Sequence, residues 1–265
     1  MIKYRKSLSK NNFNTMKTSH WVIVALVVLA GAGLIFWISK NNGSDVKSET
    51  NSESKTESTS TDSADSKPQE EMATAKDKAD GSCTRSVNKT LMQESIDIKN
   101  KVVTLNVEGY GDIKVELYDK DAPKTVENFL RLSKSGYYDC LTFHRIAKGF
   151  VIQGGDPTGT GSGGESAFGG EFADELDPNT PSAKAGYKKG VLAMANRGPN
   201  TNTSQFFIML ADNQLPHNYT IFGKVISGIE VVDKIGAAEI TPQMGPTDGT
   251  PVTKIIISKA TVSDK

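Results

Sequence analysis

The sequence predicts an all-β domain, a β-barrel with two capping helices, preceded by a membrane-spanning segment and a solvated linker. Three observations carry this. An uncharged run extends from Trp21 to Ile38, and the stretch 41–98 contains no aromatic residue. From about residue 99 short strand patterns alternate with glycine turns, with only two helical patterns among them.

Composition narrows the function before any motif is read. Lys and Arg number 31 and Asp and Glu number 31. This balance argues against nucleic acid as the partner, which calls for a strongly basic face. Cys83 and Cys140 have neither CxxC spacing nor histidine neighbours, and His20 and His217 stand isolated. No metal or cofactor is expected.

Residues 1–20 form a basic N-terminus carrying Lys3, Arg5, Lys6, Lys10 and Lys17. Residues 21–38, WVIVALVVLAGAGLIFWI, come close as one helix to the ~30 Å hydrocarbon thickness of a bilayer and read as one transmembrane helix, with Trp21 and Trp37 at its two ends. The flank beyond is sparser in basic residues, so the positive-inside rule puts the N-terminus in the cytoplasm and the rest of a single-pass protein outside. A cleaved signal peptide is the rival reading, because Ala30-Gly31-Ala32 has the small residues of a cleavage site. Cleavage there would leave Leu34-Ile35-Phe36-Trp37 at a new N-terminus, and the apolar run exceeds a usual signal core, which favours the uncleaved anchor.

Residues 39–98 are dominated by Ser, Thr, Glu, Asp, Lys and Asn, with ten acidic groups against five lysines between 41 and 80. Such a segment buries too little apolar surface to offset its ordering entropy, so a disordered spacer is expected.

The folded domain is expected over 99–265. Lys101–Val107 and Asp112–Tyr118 alternate as strands around Glu108-Gly-Tyr-Gly111, a hairpin signal. Asp121 is a cap candidate for a helix with Pro123 in its first turn; Val126, Phe129 and Leu130 form its apolar face and Gly136 ends it. Further strands are expected around 141–153, 190–195, 204–210 and 219–225. A second helix near 228–237 and a last strand from Val252 to Ser258 complete the set.

Two segments carry the chemistry. Phe143-His-Arg-Ile-Ala-Lys-Gly-Phe-Val-Ile-Gln-Gly-Gly-Asp156 sets one arginine among apolar residues, where it is costly without a partner or a task. Strand alternation predicts Phe143 and Arg145 on one face and His144 on the other. Leu192-Ala-Met-Ala-Asn-Arg-Gly-Pro-Asn-Thr-Asn-Thr-Ser-Gln-Phe-Phe-Ile208 runs a polar loop into a strand with Gln205 and Phe207 on a common face. One guanidinium and several neutral amides around an apolar hollow suit a neutral peptide. Gly159-Thr-Gly-Ser-Gly-Gly164 satisfies G-x-G-x-x-G, but no βαβ unit surrounds it, so it reads as a loop.

From Lys101 to Lys259 the sequence resembles the cyclophilin family. The resemblance rests on Phe143-His-Arg145, Gly149-Phe150, Gln153-Gly-Gly-Asp156, Met194-Ala-Asn196, Gly198-Pro-Asn-Thr-Asn202, Ser204-Gln-Phe-Phe207 and Phe222-Gly223. It implies a closed eight-stranded antiparallel β-barrel capped by two α-helices, and a peptidyl-prolyl cis/trans isomerase acting on proline-containing unfolded or folding polypeptides. It assigns Arg145 as the catalytic residue and Phe150, Phe207 and Leu215 to a proline pocket. Val151, Gln153, Ala195, Asn196 and Gln205 would line the peptide groove. In this pattern His144 is structural, and a monomer is expected.

Departures from the family pattern are few. The tryptophan common at the pocket rim is missing from Asp212–Tyr219, where Leu215 or Gln214 stands, which removes an expected contact for cyclosporin. Arg197 occupies a position usually small, and Lys148 replaces a common turn proline. Cys140 stands where bacterial relatives frequently have glycine. Outside the cytoplasm two free thiols are prone to oxidise, so a Cys83–Cys140 disulfide is expected, with two free thiols as the alternative. The rival function is a non-catalytic module that only holds proline-containing segments; binding alone does not require Arg145.

Overall fold

The computed structural model describes residues 76–79 and 83–265. The expected basic N-terminus, the apolar run Trp21–Ile38 and the linker up to residue 75 lie outside the described residues. Among the described residues no helix is long and apolar enough to cross a membrane.

Ordered structure begins well before residue 99, which corrects the expected extent of the linker. Strands β1 (Lys76–Ala79) and β2 (Cys83–Ser86) form an antiparallel hairpin that leads into helix α1 (Lys89–Gln93). Asn88 caps α1 by accepting from the Thr90 and Leu91 amides at 3.0 and 3.2 Å. The physical reason for order is apolar. Val87 and Met92 are buried in the main core, and Ile96 and Ile98 pack against it. These well-placed apolar side chains, together with the Cys83–Cys140 bond, hold a segment whose average composition is that of a spacer.

Strands β3 (Lys101–Val107) and β4 (Gly111–Leu117) form the expected hairpin, followed by α2 (Pro123–Lys134), β5 (Leu141–Ala147) and β6 (Val151–Gly154). Then come α3 (Pro181–Ala185), β7 (Val191–Met194), β8 (Phe206–Met209), β9 (Ile221–Ser227) and α4 (Ile229–Ala237). A hairpin of β10 (Ile240–Pro242) and β11 (Asp248–Pro251) precedes the last strand, β12 (Ile256–Asp264). The last strand therefore starts later and runs further than Val252–Ser258. It needs the whole length of β3, which it pairs from Val107 back to Lys101.

The circuit β5-β12-β3-β4-β9-β7-β8-β6 returns to β5, which closes an eight-stranded antiparallel barrel. Closure leaves no free edge within the ring. The β10–β11 hairpin attaches outside it, along β5. Leu105, Ile113, Phe143, Ile152, Phe206 and Phe222 fill the interior, and α2 contributes Val126, Phe129 and Leu130, the face expected for it. The Phe129 ring meets the edge of Phe206 at 5.4 Å and tilts against Phe222 at 5.1 Å. Helix α4 buries Val231, Val232 and Ile235. Helices α2 and α4 are the two capping helices; α1 and α3, five residues each, are additional.

Asp121 does not cap α2. Its carboxylate accepts from the Ser182 amide instead. The open amides at the start of α2, those of Lys124 and Thr125, donate to the Glu175 carboxylate at 3.0 and 2.8 Å. A long loop thus supplies the cap, 50 residues away in sequence, and favourably places a negative charge at the helix N-terminus.

Candidate active site

The barrel strands alternate between two apolar clusters. Inward residues join the core, whereas Ala147, Val151, Val191, Ala193, Phe207, Met209 and Ile221 form a second cluster with Tyr187 on the outer face of β5, β6, β7, β8 and β9. Phe150, Ala195, Leu215, Tyr118 and Tyr219 pack partly buried against it. A partly open apolar hollow on a rigid sheet is where an apolar ring of a ligand can exchange water for hydrocarbon.

A β-bulge decides how Arg145 reaches this face. In the register of β5 and β6, Phe143 pairs with Gly154 and Arg145 with Gln153, leaving His144 as the extra residue. Phe143 therefore enters the core while Arg145 points outward, which corrects the expectation that the two share a face. Without the bulge, strict alternation would send the guanidinium into the barrel among Phe206 and Ile152. His144 is buried against Asp156 and Gly161, and burial lowers its pKa.

Arg145 is held on two sides. Nε and Nη2 donate to the two carboxylate oxygens of Asp248 at 2.9 and 2.6 Å, and Nη1 donates to Gln153 Oε1 at 3.0 Å. Gln153 in turn donates to Gln205 Oε1 at 2.9 Å. The Gln205 amide group donates to the carbonyls of Gly161 and Gly163 at 3.0 and 2.8 Å. The polar chain from β11 to the glycine loop has its members satisfied by one another, which keeps each side chain in one orientation.

The glycine-rich segment is a loop, organised by one carboxylate. Asp156 accepts from the amides of Thr158, Thr160, Gly161 and Gly163. Burial pushes its pKa up, but the hydrogen bonds from Thr158, Gly163 and Gly161 outweigh burial and hold it below the usual value. Its neighbour Gly155 has φ +88, and a Cβ there would lie 2.5 Å from the Ser204 carbonyl. Glycine is what permits β6 to turn this close to the segment carrying Gln205.

The expected site residues fall into two groups. Phe150, Val151, Ala195, Phe207 and Leu215 come together in the outer apolar cluster, and Arg145, Gln153 and Gln205 form the hydrogen-bonded row beside it. Asn196 stands at the end of the hollow and donates to the Asn218 carbonyl at 2.9 Å, so its side-chain nitrogen braces a loop. Three residues of this face went unread in the sequence. Tyr219 meets Phe207 edge-on at 5.6 Å, and Tyr187 donates to the Tyr219 carbonyl at 2.8 Å while accepting from its amide. Burial pushes the Tyr187 hydroxyl up to about 12, so it remains a donor at neutral pH. Asp248 lies 103 residues from Arg145 in a hairpin with no strong strand signal.

Residues 102–262 match the family described as cyclophilin type peptidyl-prolyl cis-trans isomerase/CLD. The human protein named peptidyl-prolyl cis-trans isomerase-like 1 is 51% identical over 145 residues, spanning 54% of this chain and 85% of the relative. The Arabidopsis thaliana peptidyl-prolyl cis-trans isomerase CYP18-2 is 47% identical over 157 residues, 58% of this chain and 89% of its own length. Among solved structures, a cyclophilin type peptidyl-prolyl cis-trans isomerase of Cryptosporidium parvum superposes with a TM-score of 0.56 at 42% identity. That match covers 62% of this chain and 98% of the other.

Proposed function

The chain belongs to the cyclophilin-type peptidyl-prolyl cis/trans isomerases, and from that premise we propose that Arg145 catalyses rotation of Xaa-Pro bonds in polypeptides outside the cytoplasm. What carries the site assignment is one juxtaposition: an oriented guanidinium beside an apolar hollow walled by Phe150, Val151, Phe207 and Leu215.

The mechanism follows from the bond to be turned. An amide resists rotation by ~18–20 kcal/mol because the nitrogen lone pair is delocalised into the carbonyl. Midway through rotation the lone pair is localised on a pyramidal nitrogen, which becomes a hydrogen-bond acceptor only then. Arg145, always charged, donates to that nitrogen and so binds the transition state better than either ground state. Phe150, Phe207 and Leu215 receive the proline ring and exclude water, which strengthens the hydrogen bond. Ala195, Asn196, Gln153 and Gln205 hold the preceding backbone while the remainder turns. No covalent bond forms and no proton leaves.

Phe207→Ala tests the pocket. Removing one wall of the hollow should raise KM for a prolyl tetrapeptide about tenfold, equivalent to ~1.4 kcal/mol. An unchanged KM in a folded variant excludes Phe207 from the pocket.

The placement outside the cytoplasm is supported by the charge bias before Trp21 and by the bond between Cys83 and Cys140, which persists in oxidising compartments. Uncatalysed proline isomerisation takes tens of seconds, long enough to limit folding of an exported chain. Protease added to intact cells, or to spheroplasts where an outer layer blocks access, should release a fragment beginning between residues 41 and 82. Protection of the whole chain until the membrane is breached overturns the orientation.

A further inference from the structure

We propose that Asp248 is a positioning residue for the isomerase reaction, setting the plane in which the Arg145 guanidinium meets the prolyl nitrogen. The inference rests on the assignment of Arg145 as the catalytic residue.

The geometry is specific. A guanidinium carries five N–H donors. Asp248 takes the Nε edge and one hydrogen of Nη2, and Gln153 takes one hydrogen of Nη1. One hydrogen on each terminal nitrogen is left for a substrate. Gln153 alone makes a single hydrogen bond, about which the guanidinium plane can still pivot. The two parallel bonds to Asp248 remove that freedom.

Asp248 is itself fixed from several directions. It pairs with Ala147 and its neighbour Gly249 with Ile146, so β11 is registered against the strand that carries Arg145. Its carbonyl accepts from the amides of Gln243 and Met244 at 2.9 and 3.1 Å. On Gly249 a Cβ would lie 2.0 Å from the Thr241 carbonyl, so glycine lets β10 and β11 close this tightly. Thus a hairpin outside the barrel ring delivers one carboxylate to the reactive side chain. The pair is partly buried, with Arg145 and Asp248 side chains 25% and 18% exposed, so solvent does not fully screen it.

An arginine side chain gives up substantial rotamer freedom when it is locked. Where the protein prepays that loss, the substrate does not have to, and the benefit falls on the turnover step. Binding of the proline ring depends on Phe150, Phe207 and Leu215, members of an apolar cluster to which Asp248 does not belong. The expected signature is therefore a fall in kcat with KM nearly constant.

The experiment compares Asp248→Asn, Asp248→Ala, Arg145→Ala and the double variant Asp248→Ala/Arg145→Ala in the full 265-residue chain, with melting followed by circular dichroism. Asp248→Asn, nearly isosteric, carries the test should the alanine variant fail to fold. The single Asp248 variants should lose about ten- to thirtyfold in kcat with KM within about twofold. In the Arg145→Ala background, removing Asp248 should change kcat no further, because a positioning residue has nothing left to position. Unchanged kcat in Asp248→Asn, with Arg145→Ala impaired, overturns this inference alone. Full turnover in Arg145→Ala overturns the catalytic assignment and this inference with it. A rise in KM with kcat retained, or equal losses in both backgrounds, assigns Asp248 to structure and likewise overturns the proposal.

Discussion

Arg145→Ala should lower kcat/KM at a prolyl bond by about a hundredfold or more, in a chain that melts where the parent melts. In the mechanism proposed above, the hydrogen bond from Arg145 to the prolyl nitrogen forms only in the transition state, and removing a donor of this kind costs roughly 3 kcal/mol, or about two powers of ten. Stability should change little. Arg145 points away from the core, and Asp248, already 18% exposed beside it, gains further access to water when the guanidinium is removed. Arg145→Lys should also be poor, since an ammonium cannot bridge Asp248 and Gln153 while presenting further donors. Isomer-exchange spectroscopy on a prolyl peptide reads the rate without a coupled protease. Turnover within about threefold of the parent, in a variant with the parent's melting curve, would sink the mechanism.

That Arg145 needed a partner or a task was legible because its neighbours include Phe143, Ile146 and Phe150, and the structure supplies the partners Asp248 and Gln153. Its direction was not. Strand alternation is a local rule, and the bulge at His144 is fixed by the pairing of β5 with β6 and by the aromatic core that claims Phe143. The barrel strands were readable from period-two patterns near Lys101–Leu117 and from the polar loop running into Gln205–Ile208. Long-range partnerships were hidden for a common reason. Glu175 capping α2, Asp248 gripping Arg145 and Tyr219 meeting Phe207 each join residues far apart in sequence or supplied by loops without periodicity. Each pairing is decided by tertiary packing. The ordered stretch 83–98 was missed for the opposite reason: Val87, Met92, Ile96 and Ile98 were visible, but a window averaged over the Ser- and Glu-rich stretch before them diluted their signal.

The order of that stretch leads to the other large effect: Cys83→Ala should destabilise the domain by about 4 kcal/mol. Cys83 in β2 is bonded to Cys140, just before β5, with Cα atoms 5.6 Å apart across a sequence separation of 57. In the chain-entropy model a loop of that length loses about 4 kcal/mol of unfolded-state freedom when closed. The native contacts around the bond are good enough for the gain to be expressed. The Arg85 guanidinium lies over the Tyr137 ring at 5.3 Å, and the Asn88 amide donates to the Ser135 carbonyl at 2.9 Å. A Cβ on Gly136 would approach the Ser86 carbonyl to 2.9 Å, so the approach segment lies directly on the turn after α2. The choice of substitution matters. Cys140 has φ +63, so Cys140→Ala keeps a side chain in a backbone region that disfavours one, while Cys140→Gly relieves it and masks part of the loss. Cys83→Ala isolates the cross-link, because Cys83 is only half-buried and its substitution leaves that backbone untouched. In denaturant titrations the Cys83→Ala midpoint should fall, the parent should fall to meet it when reductant is added, and the variant itself should ignore reductant. Val87 and Met92 should then become open to proteolysis at concentrations of denaturant that leave the barrel folded, since burial and a few hydrogen bonds, such as that from Arg131 to the Met92 carbonyl, would be all that holds them. Coincident parent and Cys83→Ala midpoints, with the parent's bond shown intact by non-reducing mass mapping, would refute the entropic account and leave the order of residues 83–98 to their apolar contacts.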